Sequence, residues 1–267
     1  MIRNILKISD LNVTFRGPNE EFTAVDNFSL EIKKGETIAI VGESGSGKST
    51  TALSILGLLP YPIAHHNKGS IKFKNTELLN ADSKKLQKYR GSKIGMIFQE
   101  PMMSLNPLHT VNKQIQESIL IHNKTPLNML KKRVLELINL VGLNDSEKYL
   151  HSYPHQLSGG QRQRVMIAIA IANNPDLLIA DEPTTALDVT IQIQILQLLK
   201  KIQRKLGMSI LLITHDLGIV KFMAKNVYIM YKAKLVEFGK VKNVLSAPQN
   251  IYTKKLINAQ PVNLKRK

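Results

Sequence analysis

Apolar runs separated by polar segments fill the first third of the chain. Their alternation predicts strands over residues 6–15, 22–32 and 37–41, with turn-forming polar residues between them. The third run leads directly into the glycine-rich segment 42–47, and an apolar pattern with a helical period continues to Leu59. The chain is therefore predicted to begin with strands and to continue as strand, glycine-rich turn and helix.

The middle of the chain has a helical period instead. Segments 111–122 and 127–141 are predicted helices, and the second has apolar residues on one face. These residues are Leu127, Leu130, Val134, Leu137, Ile138 and Val141.

Strands and helices alternate in the last third, which is typical of a largely parallel sheet covered by helices. The alternating segments are 177–180, 191–206, 209–213, 218–224 and 227–231. The sequence thus predicts an α/β fold with a mostly parallel sheet, amino-terminal antiparallel strands and an inserted helical subdomain.

The glycine-rich segment matches the phosphate-binding pattern Gly-x-x-x-x-Gly-Lys-[Ser/Thr] at every fixed position. Glycines allow backbone N–H groups to converge on phosphates without Cβ clashes, and the following helix adds the positive end of its dipole. Lys48 is expected to neutralise the β- and γ-phosphates, and the Ser49 hydroxyl to ligate Mg²⁺. The predicted nucleotide-binding residues are Gly42, Glu43, Ser44, Gly45, Ser46, Gly47, Lys48, Ser49 and Thr50.

An acidic pair follows the apolar run 177–180. Asp181 and Glu182 are expected at the carboxyl end of a buried strand, the edge where α/β sheets bind ligands. A metal bound beside a phosphate loop needs a carboxylate. Asp181 is therefore predicted to hold Mg²⁺ through the coordination shell of the ion, and Glu182 is predicted to polarise the attacking water. Without the phosphate loop, the same pair would indicate an ordinary polar turn.

A third motif, Leu157-Ser158-Gly159-Gly160-Gln161, lies between these two. Ser158 is a predicted N-cap for a helical run that ends near Ala172, and the glycines admit close approach to the helix N-terminus. The motif resembles the signature of the ABC ATPase family, which other phosphate-loop enzymes lack. The resemblance covers nearly the whole chain and implies a RecA-like phosphate-loop core with ATP and Mg²⁺ as cofactors.

The family resemblance implies a composite site. In the family, the signature of one subunit closes over ATP bound by the phosphate loop of another. Gln99 resembles the Q-loop glutamine, Asp188 in Ala186-Leu187-Asp188 resembles the D-loop, and His215 resembles the switch histidine at the γ-phosphate. The implied catalytic residues are Glu182, His215 and Gln99, and the implied Mg²⁺ ligands are Ser49, Gln99 and Asp181.

An aromatic ring is also implied, because the family stacks one on adenine from an amino-terminal loop. Phe15, at the end of a predicted strand, is the expected ring. Phe22 is the alternative, and either ring would equally suit the core.

Three stretches resemble the dipeptide, oligopeptide and nickel importer branch of the family: 41–49, 99–107 and 153–160. The segment 248–254 resembles that branch's Pro-x-x-His-Pro-Tyr-Thr. It departs from the pattern with Asn and Ile where His and Pro are usual. These departures loosen the assignment to the branch and leave the ATPase assignment unaffected.

The sequence indicates the transported substrate less clearly than it indicates the family. Many peptide-importing members continue into a cysteine-rich tail that holds an iron–sulfur cluster, and this sequence has no Cys. That feature and the run Asn106–Thr110 resemble the nickel or metal-chelate importers. Import of nickel, cobalt or a metal chelate is therefore expected, with di- and oligopeptides as the open alternative.

The branch resemblance also implies partners. They are two transmembrane permease subunits, a second ATP-binding subunit that is homologous or identical, and, indirectly, an extracytoplasmic solute-binding protein. The segment 99–109 is the expected coupling surface. The chain is then expected at the cytoplasmic face of the cell membrane, as a peripheral subunit.

Size and composition agree with this interpretation. A chain of 267 residues, 43% of them hydrophobic, can bury a core as one domain over 1–267. We expect a core of about 1–98 and 163–260 and a helical subdomain of about 99–162. The mostly apolar stretch 52–64 is too short to span a membrane. The first ten residues lack the apolar core of a secretory signal, which, with the absence of Cys, favours the cytoplasm.

The formal net charge of +17 permits several classes of partner and does not choose among them. It would suit nucleic acid, an anionic membrane face or an acidic protein, but the basic residues are spread along predicted helices as solvated faces. Soluble ABC ATPases acting on nucleic acid are the alternative class. The sequence lacks their long coiled coil, second cassette and thiolate zinc sites, so no nucleic acid is expected as a partner. A non-catalytic cassette is disfavoured because Glu182 and His215 are both present.

Overall fold

The structure is a computed structural model that describes residues 4–17, 20–100, 104–143 and 145–259, with the backbone alone at Ser146. The chain divides into two compact units. The first comprises the residues up to Leu86 and those from Ser209 onward, and the second comprises Gln87–Met208. The helical subdomain expected over 99–162 falls within the second unit, and its boundaries stay a prediction.

The strands and helices are as follows. The strands are β1 (Asn4–Arg16), β2 (Glu21–Lys33), β3 (Thr37–Val41), β4 (Ala64–Phe73), β5 (Thr76–Glu77), β6 (Ile94–Ile97), β7 (Leu177–Asp181), β8 (Ser209–Thr214), β9 (Asn226–Tyr231) and β10 (Lys234–Lys240). The helices are α1 (Lys48–Leu56), α2 (Ser83–Gln87), α3 (Val111–Leu120), α4 (Leu127–Leu140), α5 (Ser146–His151), α6 (Gly159–Ala170), α7 (Val189–Leu206), α8 (Leu217–Met223), α9 (Val241–Ser246) and α10 (Ile251–Asn258).

The first unit contains a mixed sheet with the strand order β5-β4-β1-β2-β10-β9-β3-β8. β1 pairs antiparallel with β2 and with β4, whereas β3 pairs parallel with β8 and with β9. β3 is buried along its whole length, as expected for an apolar strand between two parallel neighbours. The carboxyl ends of β3, β8 and β9 therefore lie at one edge of the sheet.

Burial along the antiparallel strands follows their alternation. In β2, Phe28, Leu30 and Ile32 are buried, while Glu31 and Lys33 between and after them are exposed. Each fully buried side chain of this size contributes about 1.5–3 kcal/mol relative to an exposed one. The period-2 pattern therefore fixes which face of β2 packs into the core.

In the second unit, β6 and β7 pair in parallel. A Cβ at Gly95 of β6 would lie 2.3 Å from the backbone oxygen of Ala170 at the end of α6, so glycine permits this close contact. α4 buries Leu130 and Val134, but Leu127 of the predicted apolar face is exposed because it is the first residue of the helix.

The predicted α/β class, with parallel core strands and antiparallel amino-terminal strands, is confirmed. Among the helices of the described ranges, none is both long and apolar enough to cross a membrane.

Candidate nucleotide-binding site

The phosphate-loop sequence forms a tight turn between β3 and α1. Gly45 and Gly47 have φ of 77° and 99°, in the region that favours glycine. Space is restricted as well, because a Cβ at Gly42 would lie 2.2 Å from the Met230 backbone oxygen, and a Cβ at Gly47 would lie 2.2 Å from the Ala24 oxygen. The predicted glycines are therefore required by conformation and by close packing.

Lys48 is the first residue of α1, and its side chain folds back over the loop. The residue is 6% exposed, and its Nζ donates hydrogen bonds to the Gly42 oxygen at 2.9 Å and the Glu43 oxygen at 2.7 Å. The loop carbonyls thus fix the position of a nearly buried ammonium group. A positive charge in this position suits an anionic ligand.

The start of α1 is open to an anion. Its N-cap, Gly47, provides no side-chain hydrogen bond to the helix, and the first turn contains no acidic residue. The first N–H groups of a helix lack intrahelical partners and attract negative charge. The buried hydroxyl of Ser46 has no hydrogen-bond partner among the described residues. Ser49 and Thr50, in the first turn, are half-buried.

His215 lies at the same sheet edge as the phosphate loop. β8 pairs with β3 so that Thr214 is opposite Val41, and His215 and Gly42 are the next residues of their strands. His215 is exposed, and Asp216 after it caps α8 by accepting from the Gly218 N–H at 2.6 Å. The first unit therefore brings the predicted switch histidine and the loop together.

The two candidate adenine-stacking rings are neighbours on adjacent strands. Phe15 of β1 is opposite Phe22 of β2. Phe15 is half-buried, whereas Phe22 is 62% exposed. Phe15 is the less exposed of the two rings, and its role as the adenine-stacking ring stays a prediction.

In the second unit, the predicted Q-loop glutamine and acidic pair lie at one strand edge. Ile97 of β6 is opposite Ala180 of β7, Gln99 follows two residues after Ile97, and Asp181 and Glu182 follow Ala180 directly. Asp181 is 5% exposed, and Gln99 is exposed. The parallel pairing of β6 with β7 therefore places Gln99 at the same strand edge as Asp181 and Glu182, although they are far apart in the sequence.

Glu182 has an unusual backbone conformation. Its φ is 47°, in the left-handed region that non-glycine residues seldom adopt. Its carboxylate accepts a hydrogen bond from the Thr185 hydroxyl at 2.7 Å, and its carbonyl accepts one from the Thr185 N–H at 3.2 Å. Strained residues of this kind cluster at functional sites because the surrounding structure must fix them.

The signature motif begins helix α6 as predicted. Ser158 is the N-cap, its hydroxyl accepts the Gln161 N–H at 3.3 Å, and the Gln161 side chain accepts the Ser158 N–H at 2.9 Å. This reciprocal capping box satisfies two N–H groups that the helix cannot. The Gln161 amide also donates to the Tyr149 hydroxyl at 3.1 Å, so the start of α6 is tied to α5.

The signature glycines pack against the D-loop segment within the second unit. A Cβ at Gly160 would lie 2.8 Å from Cγ2 of Ile191, and one at Gly159 would lie 3.4 Å from Cδ2 of Leu187. Asp188 is the N-cap of α7, because its carboxylate accepts the Ile191 N–H at 3.0 Å. The start of α6 and the start of α7 are therefore in contact.

The first unit also holds a contact that the motifs do not indicate. The Tyr252 hydroxyl accepts a hydrogen bond from the Glu43 N–H at 3.1 Å, between residues 209 positions apart. The sequence signal that could have drawn attention to it is the segment 248–254, which resembles a branch motif without an assigned role.

These features define a class of protein, a nucleotide-binding cassette. The chain matches the family model described as ABC transporter over residues 25–185, which is more than half of its 267 residues. The chain therefore belongs to the ABC transporter family.

Curated relatives narrow the comparison. The chain is 53% identical over 257 residues to the peptidoglycan transport ATP-binding protein YejF of Agrobacterium fabrum, covering 96% of this chain and 47% of that protein. It is 47% identical to the oligopeptide transport ATP-binding protein OppD of Bacillus subtilis, covering 97% of this chain and 73% of that protein. It is 48% identical to DppD, the dipeptide transport ATP-binding protein of the same organism, with 97% and 78% covered. The resemblance to the importer branch is thus confirmed, and the chain spans about half the length of the YejF relatives.

Solved structures agree in fold. The ATP-binding cassette MJ0796, in a dimeric post-hydrolysis state bound to ADP and Pi, matches with a TM-score of 0.78 and 34% identity, covering 88% of this chain and 98% of that one. CbiO1 of Clostridium perfringens, part of the ABC transporter complex cbiONQ, matches with a TM-score of 0.79 and 32% identity, covering 98% and 95%.

Proposed function

We propose that this chain binds and hydrolyses ATP as the nucleotide-binding subunit of an ABC importer. The observation that carries the proposal is the phosphate loop. It is a tight glycine turn in which the nearly buried Lys48 ammonium binds two loop carbonyls, and the first turn of the following helix α1 contains no acidic residue. A triphosphate fits this arrangement of a buried positive charge beside a helix N-terminus. The ATP-binding names of the relatives and the ADP-bound structure of MJ0796 support it.

The catalytic roles follow from position. Glu182 is the proposed general base for the attacking water, because it lies next to the metal carboxylate at a strand end and its conformation is fixed by Thr185. His215, at the same edge as the phosphate loop, is the proposed contact to the γ-phosphate. Gln99, beside the acidic pair, is the proposed sensor of the metal and water.

Mg²⁺ suits the residues available. The proposed ligands are the Ser49 hydroxyl, the Asp181 carboxylate and the Gln99 amide oxygen, and Mg²⁺ prefers oxygen ligands of this kind. Held by these residues, the ion would offset the negative charge of the phosphates.

The signature is proposed to act on ATP bound by a second subunit. Ser158 and its capping box form a second helix start suited to phosphate, whereas the phosphate loop of the chain already has α1 behind it. The dimeric state of MJ0796 supports an assembly of two cassettes. For this chain, we propose a homologous or identical ATP-binding partner.

The proposed cargo is a peptide. OppD and DppD are named for oligopeptide and dipeptide transport, and they align with almost the whole of this chain. Import of nickel, cobalt or a metal chelate rests on resemblance in the sequence and stays a prediction. Two transmembrane permease subunits, served by a solute-binding protein, complete the proposed assembly, and this chain is proposed to bind them as a peripheral subunit at the cytoplasmic face of the membrane. Residues 101–103 of the proposed coupling surface 99–109 lie outside the described residues.

ATP hydrolysis is tested with the purified chain by phosphate release in the presence and absence of Mg²⁺. Wild type should bind nucleotide, and hydrolysis should require the metal. Unchanged thermal stability at saturating ATP would contradict the proposal, because a ligand at 100 times its Kd stabilises the folded state by about 2.7 kcal/mol.

The cargo is tested in cells that lack the gene. Uptake of a labelled tripeptide and of radiolabelled nickel or cobalt should be measured in parallel, with complementation by wild type and by Glu182→Gln. Loss of peptide uptake alone supports the peptide proposal. Loss of metal accumulation with normal peptide uptake would overturn it and support the metal prediction.

A further inference from the structure

One peptide group of the phosphate loop is bound on both sides. The carbonyl between Gly42 and Glu43 accepts a hydrogen bond from Lys48 Nζ at 2.9 Å, and the N–H of the same peptide donates to the Tyr252 hydroxyl at 3.1 Å. The peptide is trans, so its C=O and N–H point in opposite directions. Lys48 and Tyr252 therefore fix this peptide from opposite sides.

Tyr252 is itself fixed by its own segment. It is 9% exposed, and its ring stacks on Tyr231 with centroids 4.0 Å apart and planes at 23°. Its N–H donates to the side chain of Asn250, the N-cap of α10, at 2.8 Å. Asn is a strong N-cap residue, so the departure from the branch pattern at this position preserves a capped helix start.

The preceding backbone is tied to the sheet. The Glu237 carboxylate accepts hydrogen bonds from the N–H groups of Gln249 at 2.9 Å and Asn250 at 3.0 Å. The hydroxyl of Tyr252 is thus placed by the capped start of α10, by a ring stack and by a carboxylate of β10. Such restriction lowers the entropy lost when it binds the loop.

The end of β9 limits the loop peptide from a third direction. The Met230 oxygen leaves no room for a Cβ at Gly42, and Tyr231, which stacks on Tyr252, is the next residue. Strand β9 therefore both confines the loop and supports the tyrosine that binds it.

We propose that Tyr252 is a positioning residue of the nucleotide site, which orients the Gly42–Glu43 peptide and through it the Lys48 ammonium. The inference rests on the proposed ATP-binding function. Without the hydroxyl, the Glu43 N–H loses its acceptor, and only Lys48 and the packing against β9 still restrain the peptide. One of the two carbonyl partners of Lys48 Nζ, the Gly42 oxygen, is then less firmly fixed, and the ammonium charge is less well placed for phosphate.

Tyr252 serves as a neutral acceptor. Burial raises the pKa of its hydroxyl above the ordinary value, and the charge of Glu43 acts in the same direction, against the lowering by the bond from the Glu43 N–H. The hydroxyl therefore stays protonated at neutral pH and adds no negative charge beside the proposed phosphate site.

The test compares Tyr252→Phe with Tyr231→Phe in the full chain. Each variant removes one hydroxyl and keeps both stacked rings, but only the first removes the bond to the loop. The equilibrium affinity for a fluorescent ATP analogue and for ADP should be measured, together with thermal unfolding without nucleotide. A third variant, Tyr252→Leu, removes the ring and reports its packing contribution.

Tyr252→Phe should weaken nucleotide affinity by about two- to tenfold, the range for one lost hydrogen bond, while Tyr231→Phe binds like wild type. Tyr252→Leu should lower the unfolding temperature more than Tyr252→Phe without a proportionate further loss of affinity. Wild-type affinity in Tyr252→Phe, or an equal loss in Tyr231→Phe, would overturn the inference. Failure of wild type to bind nucleotide would overturn the proposed function as well.

Discussion

The phosphate loop offers a direct test of whether backbone conformation or close packing dominates its requirement for glycine. Three of the positive-φ glycines of the first unit allow this comparison: Gly35 at 72°, Gly45 at 77° and Gly47 at 99°. A Cβ at Gly35 or Gly45 would have no heavy atom within 4 Å, whereas one at Gly47 would lie 2.2 Å from the Ala24 oxygen. Alanine at each position therefore separates the two costs.

The magnitudes follow from this geometry. Alanine in the left-handed region costs about 1–2 kcal/mol, which is the full expectation for Gly35→Ala and Gly45→Ala. At Gly47 the clash is with backbone, which cannot rotate away, and overpacking of this kind adds about 1–3 kcal/mol. Since 1 kcal/mol shifts the unfolding temperature of a large domain by about 2–4 °C, Gly47→Ala should unfold about 2–12 °C below Gly45→Ala.

The assay is thermal unfolding by circular dichroism without nucleotide, followed by titration with a fluorescent ATP analogue. Gly35→Ala is the control for backbone strain outside the phosphate loop, and it should leave nucleotide affinity unchanged. Gly47→Ala and Gly45→Ala unfolding at the same temperature would refute the packing argument, since their φ values alone predict similar costs.

Three further outcomes are expected. Glu182→Gln should lower turnover by about 10²- to 10⁴-fold while ATP binding persists, whereas Lys48→Ala should weaken binding itself; single-turnover hydrolysis and equilibrium titration distinguish them. If the assembly is a homodimer, mixing Ser158→Arg with Lys48→Ala subunits should restore one functional site per mixed dimer, and no recovered phosphate release from dimers shown to form would contradict action in trans. For Glu237, burial raises the carboxyl pKa, but hydrogen bonds led by that from the Gln249 N–H outweigh burial and lower the pKa below 4.5. The resulting stabilisation is present above pH 4.5 and is lost as the pH falls through the lower folded-state pKa, so the difference in unfolding temperature between wild type and Glu237→Gln should shrink on acidification.

The sequence predicted the elements whose pattern is locally complete. β3 is a continuous apolar run between turn residues, and its bounds, Thr37–Val41, agree with the prediction. β4 was not predicted, because its middle, His65–Gly69, is polar and reads as a loop. It becomes a strand by pairing with β1 on one side and with β5 on the other, and pairing of this kind is not encoded in the segment itself.

In the candidate site, too, local features could be predicted from the sequence and contacts between distant residues could not. The capping boxes and glycine turns at Ser158 and Gly47 are local, so motif spacing predicts them. The bond between Tyr252 and Glu43 depends on β9, β10 and α10 folding onto the phosphate loop, and no period or motif spans 209 residues. Distant contacts of this kind follow from topology rather than from local pattern.

The packing of Gly159 and Gly160 against Leu187 and Ile191 links the signature motif mechanically to the start of α7. The starts of α6 and α7 are closely packed: a gap at Gly160 would expose the Ile191 side chain, and a shift of α7 toward α6 would press that side chain into the signature backbone. If a second subunit contacts Ser158 as proposed, a displacement of the start of α6 would also act on the start of α7, where Asp188 lies. Gly160→Ala would wedge these two helix starts apart and should disturb communication between subunits while leaving the phosphate loop of the chain itself unaltered.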